Sequence, residues 1–172
     1  MIKIMSEMKL NKFDQIGIVV KDIEKAAEFY RTYFNFKGPI NIVTQDATVM
    51  YKGKEAIFKM KKIMQFFAGK QFEIVEVIET TGPNLYTEFI EEGKTGLHHL
   101  GIYVKEAKSL IEDFKEKFNV EIAQTGKVGK LNFTYLDIPN IGFIPFAVPA
   151  QDAILIILAR IGLNCLWLFI FL

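Results

Sequence analysis

The only two histidines of this chain, His98 and His99, are adjacent. They fall in an apolar stretch that reads as a strand. Because side chains alternate across a strand, the pair is expected to send one imidazole to each face. A half-buried imidazole can ligate a divalent ion or move a proton; otherwise it simply bonds a neighbour. A second pair, Glu73 and Glu76, has opposite parity within another strand-like segment, so one of the two carboxylates has to face inward. Gln15 sits in a third such segment, where a buried amide needs a hydrogen-bonding or metal partner. A single cysteine, Cys165, excludes an intrachain disulfide framework and a multi-cysteine zinc site, and it fits a reducing compartment.

What has to position these groups is a duplicated unit. QIGIVVKDIEKAAEFYRTYFN from Gln15 and HLGIYVKEAKSLIEDFKEKFN from His99 align without a gap, 84 residues apart. Gly17 matches Gly101, Val20 matches Val104, Glu28 matches Glu112 and Phe34 matches Phe118. Both copies change from a short β-branched run to a helical period of three and four. Gln15 and His99 occupy equivalent positions in the two copies.

The strands are expected near 13–20 and 98–104. Asp22 is placed to cap the helix that follows the first. Ile23, Ala26, Ala27, Tyr30 and Phe34 form the apolar face of that helix; Ala107, Leu110, Ile111, Phe114 and Phe118 form that of the second. Three strands should follow each helix: 40–44, 56–67 and 71–78 with turns at Gly53 and Gly69, then 120–125, 131–136 and 141–148 with breaks at Gly126 and Gly129. A short helix near 84–92 joins the halves. The order is βαβββ twice, an α+β class.

With 172 residues the chain is long enough for one sizeable core. Its 21 basic and 20 acidic residues are interspersed and give a net charge of +1, so no nucleic-acid partner is expected. The expected division is an extension at 1–12, a single domain at 13–148 with halves at about 13–79 and 97–148, and an apolar tail at 149–172. Residues 1–10 lack the apolar core of a secretory signal, so a cytoplasmic location is expected. The tail AILIILARIGLNCLWLFIFL is long enough to span a bilayer.

The segments FDQIGIVVKDIEKAAEFY, FEIVEVIETTGPNLYTEFIEEGKTGLHHLGIYV and YLDIPNIG, in that order, resemble the vicinal-oxygen-chelate (glyoxalase, bleomycin resistance and dioxygenase) superfamily, and within it the methylmalonyl-CoA epimerase branch. The resemblance runs from about Phe13 to Gly142. It implies two βαβββ modules forming a cupped, partly open barrel around a divalent metal ion (Zn, Ni, Co, Mn or Mg), ligated from the first and fourth strands of each module. Carried over position by position, the ligands fall on Gln15, Glu73 and His99. The implied chemistry is proton abstraction next to a carbonyl of a small acyl-thioester or hemithioacetal. The ion stabilises the enediolate and a base such as Glu73 moves the proton.

Two departures bear on that implication. The last strand should carry a glutamate where Pro145, Phe146 and Ala147 stand, so the fourth ligand is missing. The third strand, 56–67, holds no acid to serve as the base that the epimerases place there. The alternative is therefore a binding or sequestering protein of the bleomycin-resistance type. Lys59, Lys61 and Lys62 could attract an acyl-CoA phosphate, but a solvated strand edge is the favoured reading. For the tail, a membrane anchor, a helix packing a homodimer and an altered C-terminal end compete, with the altered end favoured.

Overall fold

The computed structural model describes residues 13–34, 36, 38–128 and 131–137, together with the backbone of two strands at 146–148 and 154–159. The elements run β1 (Gln15–Val19), α1 (Ile23–Phe34), β2 (Ile42–Tyr51), β3 (Lys54–Phe67), β4 (Lys70–Thr80), α2 (Leu85–Glu91), β5 (Gly96–Ile102), α3 (Lys108–Phe118), β6 (Glu121–Val128), β7 (Leu131–Asp137), β8 (Phe146–Val148) and β9 (Ile154–Ala159). The strands lie in the order β5-β1-β4-β3-β2-β6-β7-β9-β8, and β9 also pairs with β5. The sheet therefore curls into a cup.

The hairpins β2–β3 and β3–β4 turn through Lys52-Gly53 and Ala68-Gly69, all four residues at positive φ. Two consecutive left-handed residues match the right-handed twist of the flanking strands, which makes these tight turns fit. The strand expected at 40–44 runs instead from Ile42 to Tyr51, because Ala47, Val49 and Tyr51 alternate inward and continue the pairing with β3. Gly126 is not a break either. It lies within β6, under the Phe133 ring, which an added Cβ would approach to 2.3 Å. Gly129 falls outside the described residues.

Two apolar layers use opposite faces of the sheet. Inside the cup, Val19, Val49, Phe58, Val75, Phe133 and Tyr135 pack together. Outside it, Ile18, Ile63, Phe72 and Ile74 receive Ile23 and Ala27 of α1. The start of α1 is held twice: Asp22 Oδ1 accepts from Lys25 N at 3.0 Å, and Glu76 Oε2 accepts from Ile23 N at 3.0 Å. Those side chains satisfy amides that the helix leaves open. Helix α2 is closed by a capping box between Asn84 and Thr87. Its Leu85, Tyr86 and Phe89 are buried, and Leu85 N donates to Gln124 Oε1 of β6 at 3.0 Å.

The end of the second half departs from the repeat. In the first half, β4 runs parallel to β1; in the second, the strand beside β5 is β9, and it runs antiparallel. The strand expected at 141–148 is described only as β8, which pairs with β9 and not with β5; residues 141–145 lie outside the described set. Part of the apolar tail is thus a sheet strand, ILIILA, whose unbroken apolar run suits a strand covered on both faces. No helix among the described residues is long and apolar enough to cross a membrane.

Candidate functional site

The three sequence-derived ligands belong to three neighbouring strands of the cup. Gly17 of β1 is the Cα partner of Glu73 on β4 and of His99 on β5. The row Glu73–Gly17–His99 therefore has a gap at its centre, and across that gap His99 Nε2 approaches Glu73 Oε2 to 3.4 Å. A Cβ on Gly17 would stand 1.9 Å from the imidazole, so the glycine creates the space for the contact. The adjacent row mirrors it. Gln15 lies between Gln71 and Gly101, and a Cβ on Gly101 would meet Gln15 Oε1 at 2.8 Å.

Gln15, Glu73 and His99 are 1 %, 7 % and 1 % exposed, so each polar atom needs an internal partner. Gln71 supplies part of that. Its Oε1 accepts from Gln15 Nε2 at 3.0 Å and from the Tyr103 hydroxyl at 2.5 Å. With its NH2 group committed, Gln15 keeps Oε1 unpartnered, and His99 Nε2 is likewise outside hydrogen-bonding geometry with any neighbour. Two buried polar atoms, Gln15 Oε1 and His99 Nε2, thus have no hydrogen-bond partner, and the second lies 3.4 Å from the Glu73 carboxylate.

Electrostatics keep these groups in their ligating forms. Burial pushes Glu73 up, but the His99 ring and the Lys62 ammonium beside it more than offset that, and its carboxyl lies below the usual range. Burial lowers His99 below the usual 6.5 despite the opposing pull of Glu73, leaving a neutral imidazole. Tyr86 and Tyr135 are pushed upward chiefly by burial and stay neutral phenols, hydroxyl to hydroxyl at 2.5 Å.

His98 does not face away from His99. Between Gly17 and Ile18 the β1–β5 register skips from His99 to Leu97, which makes His98 the extra residue of a β-bulge. Alternation fails there. Both rings lie on the cup side, with His98 Nδ1 2.9 Å from His99 Nδ1, and the His98 ring packs on Tyr86, Phe89 and Tyr135. One of the two Nδ1 atoms has to carry the proton. When it sits on His99, His99 Nε2 is a bare lone pair.

The lysine cluster also lies elsewhere than expected. Strand β3 is interior, between β2 and β4, rather than an edge. Lys61 pairs with Glu24 of α1 at 2.6 Å and Lys59 with Glu79 at 3.4 Å, whereas Lys62 turns into the cup, its ammonium 3.8 Å from Glu73 Oε1. A cavity of about 50 Å3 is lined by Gln15, Lys62, Glu73, Tyr103 and Tyr135 with the apolar Phe58, Met60 and Met64. His99 stands behind Glu73 rather than on the cavity wall. Sequence reasoning missed the inward facing of His98, which depends on a bulge that leaves no mark in the residue pattern, and of Lys62, which shares the parity of Phe58, Met60 and Met64 on β3.

A divalent ion fits this donor set. An amide oxygen, a carboxylate and an imidazole nitrogen are ligands for a borderline or hard divalent cation, and the two unpartnered atoms are the ones such an ion would engage. Among the described residues no three His, Cys, Asp or Glu side chains form a metal cluster; the set here has two of them and the Gln15 amide. The fourth ligand is not supplied by the positions named for it. Phe146 and Ala147 belong to β8, which pairs with β9, and Pro145 lies outside the described residues.

The curled sheet with α1 on its outer face, and paired first strands meeting across a buried polar site, define a glyoxalase-like α+β fold. Residues 14–135 match the family model of the Glyoxalase/Bleomycin resistance protein/Dioxygenase superfamily, and the chain belongs to that superfamily. Similar solved structures include a methylmalonyl-CoA epimerase in complex with methylmalonyl-CoA and NH4+, at 17 % identity and a TM-score of 0.52, covering 82 % of this chain and 96 % of that one. A Streptomyces coelicolor methylmalonyl-CoA epimerase variant in complex with 2-nitronate-propionyl-CoA is 18 % identical, with a TM-score of 0.51 and coverage of 81 % and 97 %. A hypothetical protein from Bacillus halodurans C-125 gives 17 %, 0.50, and coverage of 81 % and 95 %. At these identities the likeness is one of fold. No curated protein matches the chain.

Proposed function

We propose that this chain is a metal-dependent enzyme that abstracts a proton next to the carbonyl of a small acyl-thioester or hemithioacetal, with Gln15, Glu73 and His99 holding the ion. The observation that carries the reading is the pair of unpartnered buried atoms, Gln15 Oε1 and His99 Nε2, the second of them 3.4 Å from the Glu73 carboxylate. When bound, a divalent ion (Zn, Ni, Co, Mn or Mg) would supply Lewis-acid stabilisation of the oxygens of an enediolate. Gln71 and Tyr103 orient the Gln15 amide so that its oxygen stays free. His98 holds the His99 ring at the Nδ1 side, the kind of support that keeps a ligating imidazole in one tautomer. Glu73 is the one carboxylate among the described residues lining the cavity, and is the group here that could take up and return a proton. The epimerases among the structural neighbours make methylmalonyl-CoA the first substrate to try.

A second reading, a small-molecule binding protein of the bleomycin-resistance type, is favoured by one feature: the cup-facing side chains of β3, Phe58, Met60, Lys62 and Met64, include no carboxylate. For either reading the partner is a small molecule, with a homodimer as the proposed assembly, a cytoplasmic setting, and no nucleic acid.

The test is calorimetric titration of the full chain with Mn, Co, Ni, Zn and Mg ions, before and after His99→Ala. The reading expects at least one ion to bind more tightly than millimolar and to lose that affinity in the variant. Binding by none, or binding indifferent to the substitution, overturns it. Ion-dependent exchange of the proton next to the carbonyl of methylmalonyl-CoA in D2O, followed by NMR, would then separate enzyme from binder.

A further inference from the structure

We propose that Lys62 is the specificity-determining residue of the cup, the group that receives the carboxylate of a small anionic ligand. The inference deepens the functional reading above and rests on it for the location of the ligand. It begins with how the three β3 lysines divide. Lys59 and Lys61 reach carboxylates on the outside of the sheet, where Glu79 and Glu24 lie at 3.4 and 2.6 Å. Lys62 is the one that enters the cup, and its side chain is only 13 % exposed.

An ammonium carries three N–H donors and no acceptor. Among the described residues the ion-pair partner of Lys62 is Glu73 Oε1, at 3.8 Å, a separation too long for a hydrogen bond. Charge neutralisation of Glu73 would account for a lysine here, but a lysine present only for that purpose gains most by closing to hydrogen-bond distance, where an N+–H···O− bond is at its strongest. The ammonium instead lines a cavity with the apolar side chains of Phe58, Met60 and Met64, which offer it no acceptor. What the arrangement lacks is a negatively charged acceptor at hydrogen-bond distance from that ammonium.

A carboxylate meets that need. It is planar and small enough for a space bounded by Met60, Met64 and Tyr135, and it offers two oxygens to the ammonium. The Tyr86 and Tyr135 hydroxyls are already bonded to each other, and the unpartnered atom of Gln15 is an acceptor oxygen. Lys62 is thus the charged donor that an anion entering this space would find, and a neutral ligand of the same shape would leave it unpaired. The cup discriminates by charge at Lys62, independently of what Gln15, Glu73 and His99 hold.

The experiment uses the full chain treated with a chelator, so that metal binding plays no part, and labelled with 13C-methyl methionine. Met60 and Met64 line the cavity beside Lys62 and act as reporters. Acetate and acetamide, a charged and a neutral ligand of one shape, are titrated in parallel. Acetate is expected to shift both methyl signals saturably, and acetamide to need at least about tenfold higher concentration, the discrimination typical of one charge-assisted hydrogen bond. Lys62→Gln should abolish the preference and Lys62→Arg should keep it. The preference is read on chelated protein, which separates this test from that of metal binding, and Asp22→Ala, whose contacts lie outside the cup, should retain it. The proposal is overturned if wild-type protein shows no saturable shift, if Lys62→Gln binds acetate as wild type does, or if inorganic phosphate binds more tightly than acetate. Should Lys62→Gln fail to fold, loss of the preference in Lys62→Arg would overturn it equally.

Discussion

Gly17 stands directly across from His99 on the neighbouring strand, and its missing side chain is the space that the imidazole fills. A methyl group there would overlap the ring at 1.9 Å, and no rotamer change of a methyl can relieve it. Gly17→Ala is therefore expected to destabilise the fold by about 1–3 kcal/mol, the usual cost of overpacking a core. Urea denaturation measures that loss, and metal titration of the folded fraction should show the site weakened as well. Unchanged stability and affinity would mean that the β1–β5 register differs from the one described.

The Nδ1–Nδ1 contact makes His98 a positioning residue for His99. His98→Leu removes that support and should weaken divalent-ion affinity by about 10- to 100-fold, while His98→Asn, which can still accept through its amide oxygen, should lose less. Calorimetric affinities for the two variants check this. Equal losses would show that the ring fills space without selecting a tautomer.

Burial lowers His98 well below the usual 6.5 and lowers His99 also. In the unfolded chain both titrate near 6.5, so as the pH falls below that value the unfolded state takes up protons that the folded state refuses. Stability must then fall with falling pH, by about 1.4 kcal/mol per pH unit for each histidine, until the lowered folded values are reached. Glu73, held below the usual carboxylate range, adds a further loss at lower pH, as the pH falls through its folded value. Urea midpoints at pH 7.5 and 5.5 should show the first effect, and His98→Leu should flatten it. A chain equally stable at both pH values contradicts the buried, neutral assignment.

Asp22 caps α1 through Lys25 N at 3.0 Å, on the face of the sheet away from the cup. Asp22→Ala should lower stability, as loss of a helix cap does, and leave metal and acetate binding unchanged. It serves as a control in which stability falls without the site.

The fourth ligand offers a prediction on which sequence and structure disagree. The sequence pattern puts the missing glutamate near Ala147, so that Ala147→Glu should strengthen metal binding. The register puts it elsewhere: Glu73 is paired with Gly17, and the residue paired with Gly101, its repeat equivalent, is Ile157. Ile157→Glu should therefore raise metal affinity and Ala147→Glu should not. The reverse result would place the strand 146–148, not β9, beside β5.

Much of this architecture could be read from the residues. The 84-residue repeat and its change of period gave the strand–helix order of both halves, and the caps at Asp22 and Asn84 lie where acids and amides precede apolar runs. Gln15, Glu73 and His99 were singled out by the family resemblance, with the repeat aligning two of them and strand parity leaving Glu73 or Glu76 to face inward. His98 and Lys62 were not. Strict alternation sends His98 outward, and only the bulge in β5 returns it to the cup. Bulges depend on the pairing of distant strands, so a local pattern carries no signal for them. Lys62 shares the parity of Phe58, Met60 and Met64, but nothing local shows that β3 lies inside the sheet rather than at its edge. The direction of β9 was illegible for another reason. An unbroken apolar run has no parity to read.

The antiparallel pairing of β1 with β5 is the seam between the two halves of the chain, and the candidate site straddles it. Gln15 and Glu73 come from one half and His98 and His99 from the other. Neither half owns a site. A chain with a single βαβββ unit could assemble such a centre only by docking its first strand against that of a second copy, with each glycine opening room for its partner's polar side chain. The duplication fused that encounter into one polypeptide, and in doing so it freed the two halves to diverge: an amide at position 15 and an imidazole at position 99 are a combination that two identical copies could never present.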